Sequence, residues 1–228
     1  GIARGDRVAI LSENRTEWAL TDYGCLCTGV IDVPIYPTLT ASQVAYVLRD
    51  SGSKLVFASS FEQVTKVLEA AIECPQEIQV VVFDSLPEVP HGVCAWEEFL
   101  ESGGPGFSTA VSDEDFRNSA LAASPDDVAT IIYTSGTTGD PKGVMLTHNN
   151  IASNVQICSN VLPVVGGADN TISFLPLSHI LQRTADYLFF SAGCRIGYAR
   201  SMPTLIQDMA VIRPSVVASV PRIYEKIY

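Results

Sequence analysis

One short stretch of the chain carries residue types that suit the binding of a polyanion. Residues 133–143 read Tyr-Thr-Ser-Gly-Thr-Thr-Gly-Asp-Pro-Lys-Gly. Glycine lets a backbone turn sharply and approach a ligand closely, hydroxyl groups donate hydrogen bonds, and Lys142 adds one full positive charge. The candidate contacts that precede this lysine are Thr134, Ser135, Gly136, Thr137, Thr138 and Gly139.

The charge balance of the whole chain makes that lysine conspicuous. The formal net charge is −11, and only four of the 228 residues are lysines. Nucleic acid is excluded as a partner, because binding its phosphates needs many lysine and arginine side chains. An acidic protein that binds an anion must concentrate positive potential locally, and Lys142 is where this sequence does so.

The elements that flank the stretch predict where it lies in a fold. The apolar, β-branched run Val128 to Ile132 predicts a buried strand before it, and the pattern from Leu146 to Val161 predicts a helix after it. The stretch is therefore predicted to be a loop between a strand and a helix, where backbone N–H groups converge on an anion. Pro141 stiffens the exit from this loop.

Strands and helices are predicted to alternate along most of the chain, and several strands are apolar throughout. This pattern predicts an α/β fold of mostly parallel sheets that are covered by helices on both faces. The break at Gly166-Gly167 predicts two lobes, residues 1–165 and 166–228. Asn14 is predicted to cap the first helix with Glu17 as its capping-box partner, and residues 215–220 are predicted to form a strand.

Other features fit a globular protein in a reducing compartment. The six cysteines show no metal-ligand spacing, which indicates buried thiols in the cytoplasm. No apolar run is long enough to span a membrane, and no signal peptide is visible. His148 at the start of the predicted helix suits a capping residue or a phosphate contact, and His179 follows the predicted strand 171–175 at its carboxyl end.

Nine consecutive residues, Ser135 to Gly143, resemble the phosphate loop of the acyl-adenylate-forming, or AMP-binding, enzymes. They do not match the Walker-type loop, in which Gly-Lys is followed by Ser or Thr. The segments Val33–Leu39, Leu175–Arg183 and Val220–Lys226 are similar to the long-chain fatty acyl-CoA synthetase branch. The resemblance runs along the whole chain.

The resemblance implies a two-step activation of a fatty acid. A carboxylate attacks ATP to give an acyl-adenylate, and the thiol of coenzyme A then displaces AMP to form a thioester. Fatty acid, ATP and CoA are the implied partners, with Mg²⁺ as the metal and Thr138 as its ligand. Lys142 and His179 are the implied catalytic residues. Arg183 stands where some family members have an aromatic gate to the acyl tunnel, so a surface position or an interlobe salt bridge is equally open to it.

The same resemblance implies that this chain is part of an N-terminal domain. The family's adenine, ribose and magnesium-acid segments and its C-terminal lobe would follow Tyr228, so the 228-residue chain is expected to be inactive alone. Two further functions stay open: adenylation of an amino or aryl acid, and a non-catalytic nucleotide-binding or interaction protein. Peripheral contact with a membrane surface also stays open, because a long-chain acid is poorly soluble in water, although no basic amphipathic helix supports it.

Overall fold

The computed structural model describes residues 1–102, 112–134, 140–162 and 166–227. In these ranges the strands are β1 (Arg7–Leu11), β2 (Ile31–Ile35), β3 (Leu55–Ala58), β4 (Gln79–Val82), β5 (Val93–Ala95), β6 (Val128–Thr134), β7 (Lys142–Thr147), β8 (Asn170–Ser173) and β9 (Arg195–Tyr198). The helices are α1 (Thr16–Thr28), α2 (Ala41–Ser51), α3 (Phe61–Ala71), α4 (Trp96–Ser102), α5 (Asp113–Leu121), α6 (His148–Val161), α7 (Ile180–Ser191), α8 (Leu205–Ile212) and α9 (Pro221–Ile227).

The larger sheet has the strand order β5-β4-β3-β1-β2-β6-β7. Neighbouring strands are parallel except β6 and β7, which are antiparallel. The residues Val8 to Leu11 of β1 are almost completely buried, as expected for a central strand that is covered on both faces. The predicted α/β class with mostly parallel sheets and flanking helices is confirmed.

Local signals explain why α2 forms beside this sheet. The Thr40 side chain accepts from the Gln43 backbone N–H, the Gln43 side chain accepts from the Thr40 N–H, and Gly52 ends the helix in the left-handed region at φ 63°. These contacts satisfy backbone groups that a helix end leaves without intrahelical partners. One face of α2, which includes Val44 and Leu48, is buried in the core with α3 and the central strands.

The predicted strand–loop–helix arrangement is wrong, because a second strand follows the loop. β7 pairs with β6 from Thr134↔Lys142 to Val128↔Thr147, and α6 begins only at His148. Leu146 therefore belongs to a strand. Its neighbours Val144 and Met145 are apolar as well, and a short apolar run of this kind fits a strand as readily as a helix. The candidate phosphate loop is thus the connection of a β-hairpin.

The chain divides into two compact units, one of residues 1–13 and 17–149 and the other of residues 14–16 and 150–228. The second unit contains the parallel pair β8–β9, with Ile172, Phe174, Ala199 and Leu205 in its core. The predicted lobe boundary between residues 165 and 166 stays a prediction.

Two predictions in the second unit are wrong. Asn14 does not cap α1, which begins at Thr16. Its Nδ2 donates to the Leu175 carbonyl oxygen at 2.7 Å, and its Oδ1 accepts from the Leu177 N–H at 2.9 Å. The predicted strand over residues 215–220 is reduced to an isolated bridge between Thr171 and Val216.

Candidate functional site

The mouth of the hairpin carries two of the predicted phosphate contacts. Thr134 ends β6 and Lys142 begins β7, and they face each other as a cross-strand pair. Both side chains are exposed. Among the described residues, none makes a hydrogen bond or an ion pair with the Lys142 ammonium group. Lys142 therefore keeps its charge available to an anion that approaches the loop.

The other predicted contacts fall in a part of the loop that the structure does not describe. They are Ser135, Gly136, Thr137, Thr138 and Gly139. Their roles, including that of Thr138 as a metal ligand, stay predictions. The described sections of the chain contain no group of three or more His, Cys, Asp or Glu side chains that could hold a metal ion.

Gly143 follows Lys142 and lies beneath two side chains of β6. A Cβ atom at this position would stand 2.8 Å from Ile131 Cγ2 and 3.2 Å from Tyr133 Cζ. Both distances are shorter than an ordinary carbon–carbon contact of about 3.5–4.0 Å. The absence of a side chain at Gly143 therefore lets the Tyr133 ring pack directly over the backbone beside Lys142.

Two tyrosines connect the hairpin with α2. The Tyr133 hydroxyl donates to Asp50 Oδ2 at 2.6 Å, and the Tyr46 hydroxyl donates to the Pro141 carbonyl oxygen at 3.0 Å. The two rings meet edge to face, with centroids 6.4 Å apart. Burial, together with the hydrogen bond to the negative Asp50, raises the pKa of Tyr133 well above its usual range. Sequence reasoning missed Tyr46 and Asp50, although their i, i+4 spacing places them on one face of α2.

His148 is half-buried at the first position of α6, and its backbone N–H donates to the Asp127 carbonyl oxygen at 3.1 Å. Burial lowers the pKa of the imidazole, and the nearby Arg4 lowers it further, while the Asp127 carboxylate opposes the shift. The neutral ring is therefore favoured, which makes His148 a weak candidate for pairing with a phosphate by charge.

His179 is exposed at the N-cap of α7, and its Nδ1 accepts from the Leu181 backbone N–H at 3.1 Å. One ring nitrogen thus serves the helix start, a role that Ser, Thr, Asp or Asn more often fills. Lys142 belongs to the first compact unit and His179 to the second. The catalytic role that the resemblance implies for His179 stays a prediction.

The helix that His179 caps buries several polar side chains. Gln182 Oε1 accepts from the Leu175 N–H at 3.2 Å, and Gln182 Nε2 donates to Asp186 Oδ1 at 2.7 Å. Arg183 is only 1% exposed, and its Nε donates to the Tyr187 hydroxyl at 2.7 Å. The surface position considered for Arg183 is therefore wrong. The pairs 182/186 and 183/187 share the i, i+4 spacing that signals such contacts in a helix.

A comparison with known proteins identifies the family of this chain. The model of the AMP-binding enzyme family matches residues 1–228. Because the match covers the entire chain, the chain belongs to the AMP-binding enzyme family. The resemblance that the hairpin loop carries is thereby confirmed at the level of the family.

Individual relatives agree with this assignment. The long-chain-fatty-acid–CoA ligase FadD15 of Mycobacterium bovis is 35% identical over 100% of this chain and 36% of its own length. The inhibitor-bound N-terminal domain of FACL13 from Mycobacterium tuberculosis is 25% identical, with a TM-score of 0.76 over 100% of this chain and 52% of that one. ATP-bound MatB from Rhodopseudomonas palustris is also 25% identical, with a TM-score of 0.73 over 100% of this chain and 41% of that one.

The chain spans about a third of the length of the FadD15 ligase that it matches. In the ranges that the structure describes, no helix is long and apolar enough to cross a membrane.

Proposed function

We propose that this chain is the ATP-phosphate-binding part of an AMP-forming ligase that activates a long-chain fatty acid. The full-length protein would join the acid to AMP with release of pyrophosphate, and then transfer the acyl group to the thiol of CoA. Fatty acid, ATP and CoA are its substrates in this proposal. We place the reaction in the cytoplasm, because the six free cysteines suit a reducing compartment.

The observation that carries the proposal is the exposed Lys142 at the mouth of a hairpin loop in a member of the AMP-binding family. The long-chain assignment is supported by FadD15 and by the peroxisomal long-chain acyl-CoA synthetase 6 of Arabidopsis thaliana, which is 36% identical over this whole chain. ATP as the nucleotide is supported by the likeness to ATP-bound MatB.

The chemistry assigned to these residues is electrostatic. The first step brings a carboxylate to a phosphate, so two anions must approach each other, and negative charge then collects on the departing pyrophosphate. A fixed ammonium group and hydroxyl donors lower that barrier without reorganising at the moment of reaction. We assign the ammonium of Lys142 and the hydroxyl of Thr134 to the β- and γ-phosphates.

Magnesium enters this proposal only as a companion of ATP. The described residues contain no group of three or more acidic, histidine or cysteine side chains that could hold the ion, and no step here is derived through it. The carboxylates that would hold the ion are to be sought in other parts of the full-length protein. Thr138 is a proposed hydroxyl ligand on the strength of the sequence alone.

The test is the variant Lys142→Ala in the full-length protein, with each half-reaction measured separately. ATP–pyrophosphate exchange with a long-chain acid reports adenylation, and release of AMP from preformed acyl-adenylate with CoA reports thioester formation. A lost hydrogen bond to a charged group costs about 1.5–3 kcal/mol, so adenylation should fall by roughly 10- to 150-fold. Thioester formation should change far less.

Lys54→Ala is the matched control, because Lys54 is a half-exposed lysine of the same unit whose Nζ pairs with Asp6 at 2.7 Å. It should leave both half-reactions unchanged. Equal losses in both half-reactions of Lys142→Ala would remove the assigned role. If the wild type showed ATP–pyrophosphate exchange with amino or aryl acids but none with long-chain acids, the proposed substrate class would be wrong.

A further inference from the structure

Helix α2 meets the candidate phosphate hairpin through two side chains one turn apart. Tyr46 reaches the residue that precedes β7 by donating its hydroxyl to the Pro141 carbonyl oxygen, and Asp50 reaches β6 by accepting from Tyr133. The edge-to-face packing of Tyr46 and Tyr133 joins the two bonds into one cluster. Both arms of the hairpin are thus attached to the same face of one helix.

The two attachments lie on either side of Lys142 in sequence. Tyr46 holds the residue before it, Pro141, and the Tyr133 ring packs over the residue after it, Gly143. The Lys142 side chain itself has no partner among the described residues. Only the backbone of Lys142 therefore fixes where this side chain begins, and that backbone is held through Pro141 and Gly143.

The helix that provides these contacts is itself a firm support. Its start is closed by a capping box, its end by a left-handed glycine, and Val44, Ala45, Val47 and Leu48 on its inner face are buried. A side chain that must sit within a fraction of an ångström of a reacting group is best carried by such a rigid element.

We propose that Tyr46 is a positioning residue that fixes Lys142 for its work on the phosphates of ATP. This inference rests on the function proposed above. In this proposal the Tyr46 hydroxyl contacts neither the substrate nor a phosphate. It holds the Pro141 carbonyl, so that the adjoining lysine stays at the distance and angle that adenylation requires, and small displacements of such groups are costly in rate.

The test uses Tyr46→Phe in the full-length protein, which keeps the ring and removes only the donor. ATP–pyrophosphate exchange should fall about five-fold, the typical worth of one hydrogen bond, while thioester formation from preformed acyl-adenylate should stay within about two-fold. Tyr36→Phe is the matched control, because Tyr36 is a half-buried tyrosine of the same unit whose hydroxyl has no hydrogen bond with a described residue. Its exchange rate should equal that of the wild type.

A double-mutant cycle separates positioning from general stabilisation. If Tyr46 acts through Lys142, the effect of Tyr46→Phe on exchange should vanish in the Lys142→Ala background. The same five-fold loss in both backgrounds would overturn the proposal and leave the ligase function standing. Absence of exchange in the wild type with every acid tried would overturn both. Thermal melting of each variant is recorded, so that rates are compared well below the midpoint.

Discussion

Asn14 makes hydrogen bonds across a large sequence separation, and its removal gives a sharp test of the second unit. Its Nδ2 donates to the Leu175 carbonyl oxygen at 2.7 Å, and its Oδ1 accepts from the Leu177 N–H at 2.9 Å. A longer contact of 3.4 Å reaches Ser173 Oγ. One amide thus holds the chain between β8 and the start of α7, and Asn14→Ala removes all three contacts.

The cost follows from these distances and from burial. Each of the two short bonds contributes about 0.5–1.5 kcal/mol, and the long contact adds little. Leu177 is only 2% exposed, so its N–H would lose its partner in a place that water enters poorly. A buried donor without a partner costs about 1–3 kcal/mol. We therefore expect Asn14→Ala to destabilise this segment by about 3 kcal/mol.

Hydrogen exchange measured by mass spectrometry reads this loss at the affected amides. A local destabilisation of about 3 kcal/mol makes hydrogen exchange at the Leu177 amide roughly 100-fold faster than in the wild type. Asn14→Asp keeps the acceptor for Leu177 but sets a carboxylate oxygen against the Leu175 carbonyl, so it too should destabilise. The exposed Asn154 of the same unit supplies the control Asn154→Ala, which should change exchange at Leu177 by less than about two-fold.

The reasoning would be refuted if Asn14→Ala left the Leu177 amide as protected as it is in the wild type. That result would mean that the segment is held by its own packing and that the asparagine bonds merely replace bonds to water.

Two further predictions concern stability. Asp208 accepts hydrogen bonds from Arg200, which hold the pKa of the carboxyl below its usual value. The resulting stabilisation is present above the ordinary pKa and is lost as pH falls through the folded-state pKa. Asp208→Asn should therefore flatten the acid side of a plot of melting temperature against pH, and an unchanged slope would contradict this prediction. Gly143→Ala would place a Cβ atom 2.8 Å from Ile131 Cγ2 and should cost about 1–3 kcal/mol by overpacking, measured as a lower melting temperature. The control Gly24→Ala, whose added Cβ meets nothing within 4 Å, should not lower the melting temperature. A melting temperature of Gly143→Ala equal to that of the wild type would show that Ile131 moves aside.

Local patterns predicted the larger sheet well, because its strands and helix caps are built from neighbouring residues. The continuously apolar strands needed no knowledge of distant contacts, and the structure shows their residues buried. β7 was missed because the helical pattern was taken to begin at Leu146, which lies inside the strand. Its pairing with β6 depends on a turn geometry that composition alone does not specify.

Long-range partners explain the other errors. Asn14 has the residue type and position of a helix cap, yet its partners lie more than 150 residues away along the chain. A surface position was one of the two alternatives left open for Arg183, yet this residue is buried against Tyr187 one turn further along α7. The candidate site shows the same difference between local signals and long-range contacts. Lys142 could be predicted from the loop sequence, whereas its support by Tyr46 could be seen only in the fold.

The position of β7 has a practical consequence for handling the protein. In the part of the chain that the structure describes, β7 lies at one edge of the larger sheet, and Met145 on it is 65% exposed. An outermost strand offers a row of backbone donors and acceptors that can recruit a strand from another molecule. Concentrated samples would therefore tend to stack edge to edge, and a lysine introduced at Met145 would oppose that stacking by charge repulsion.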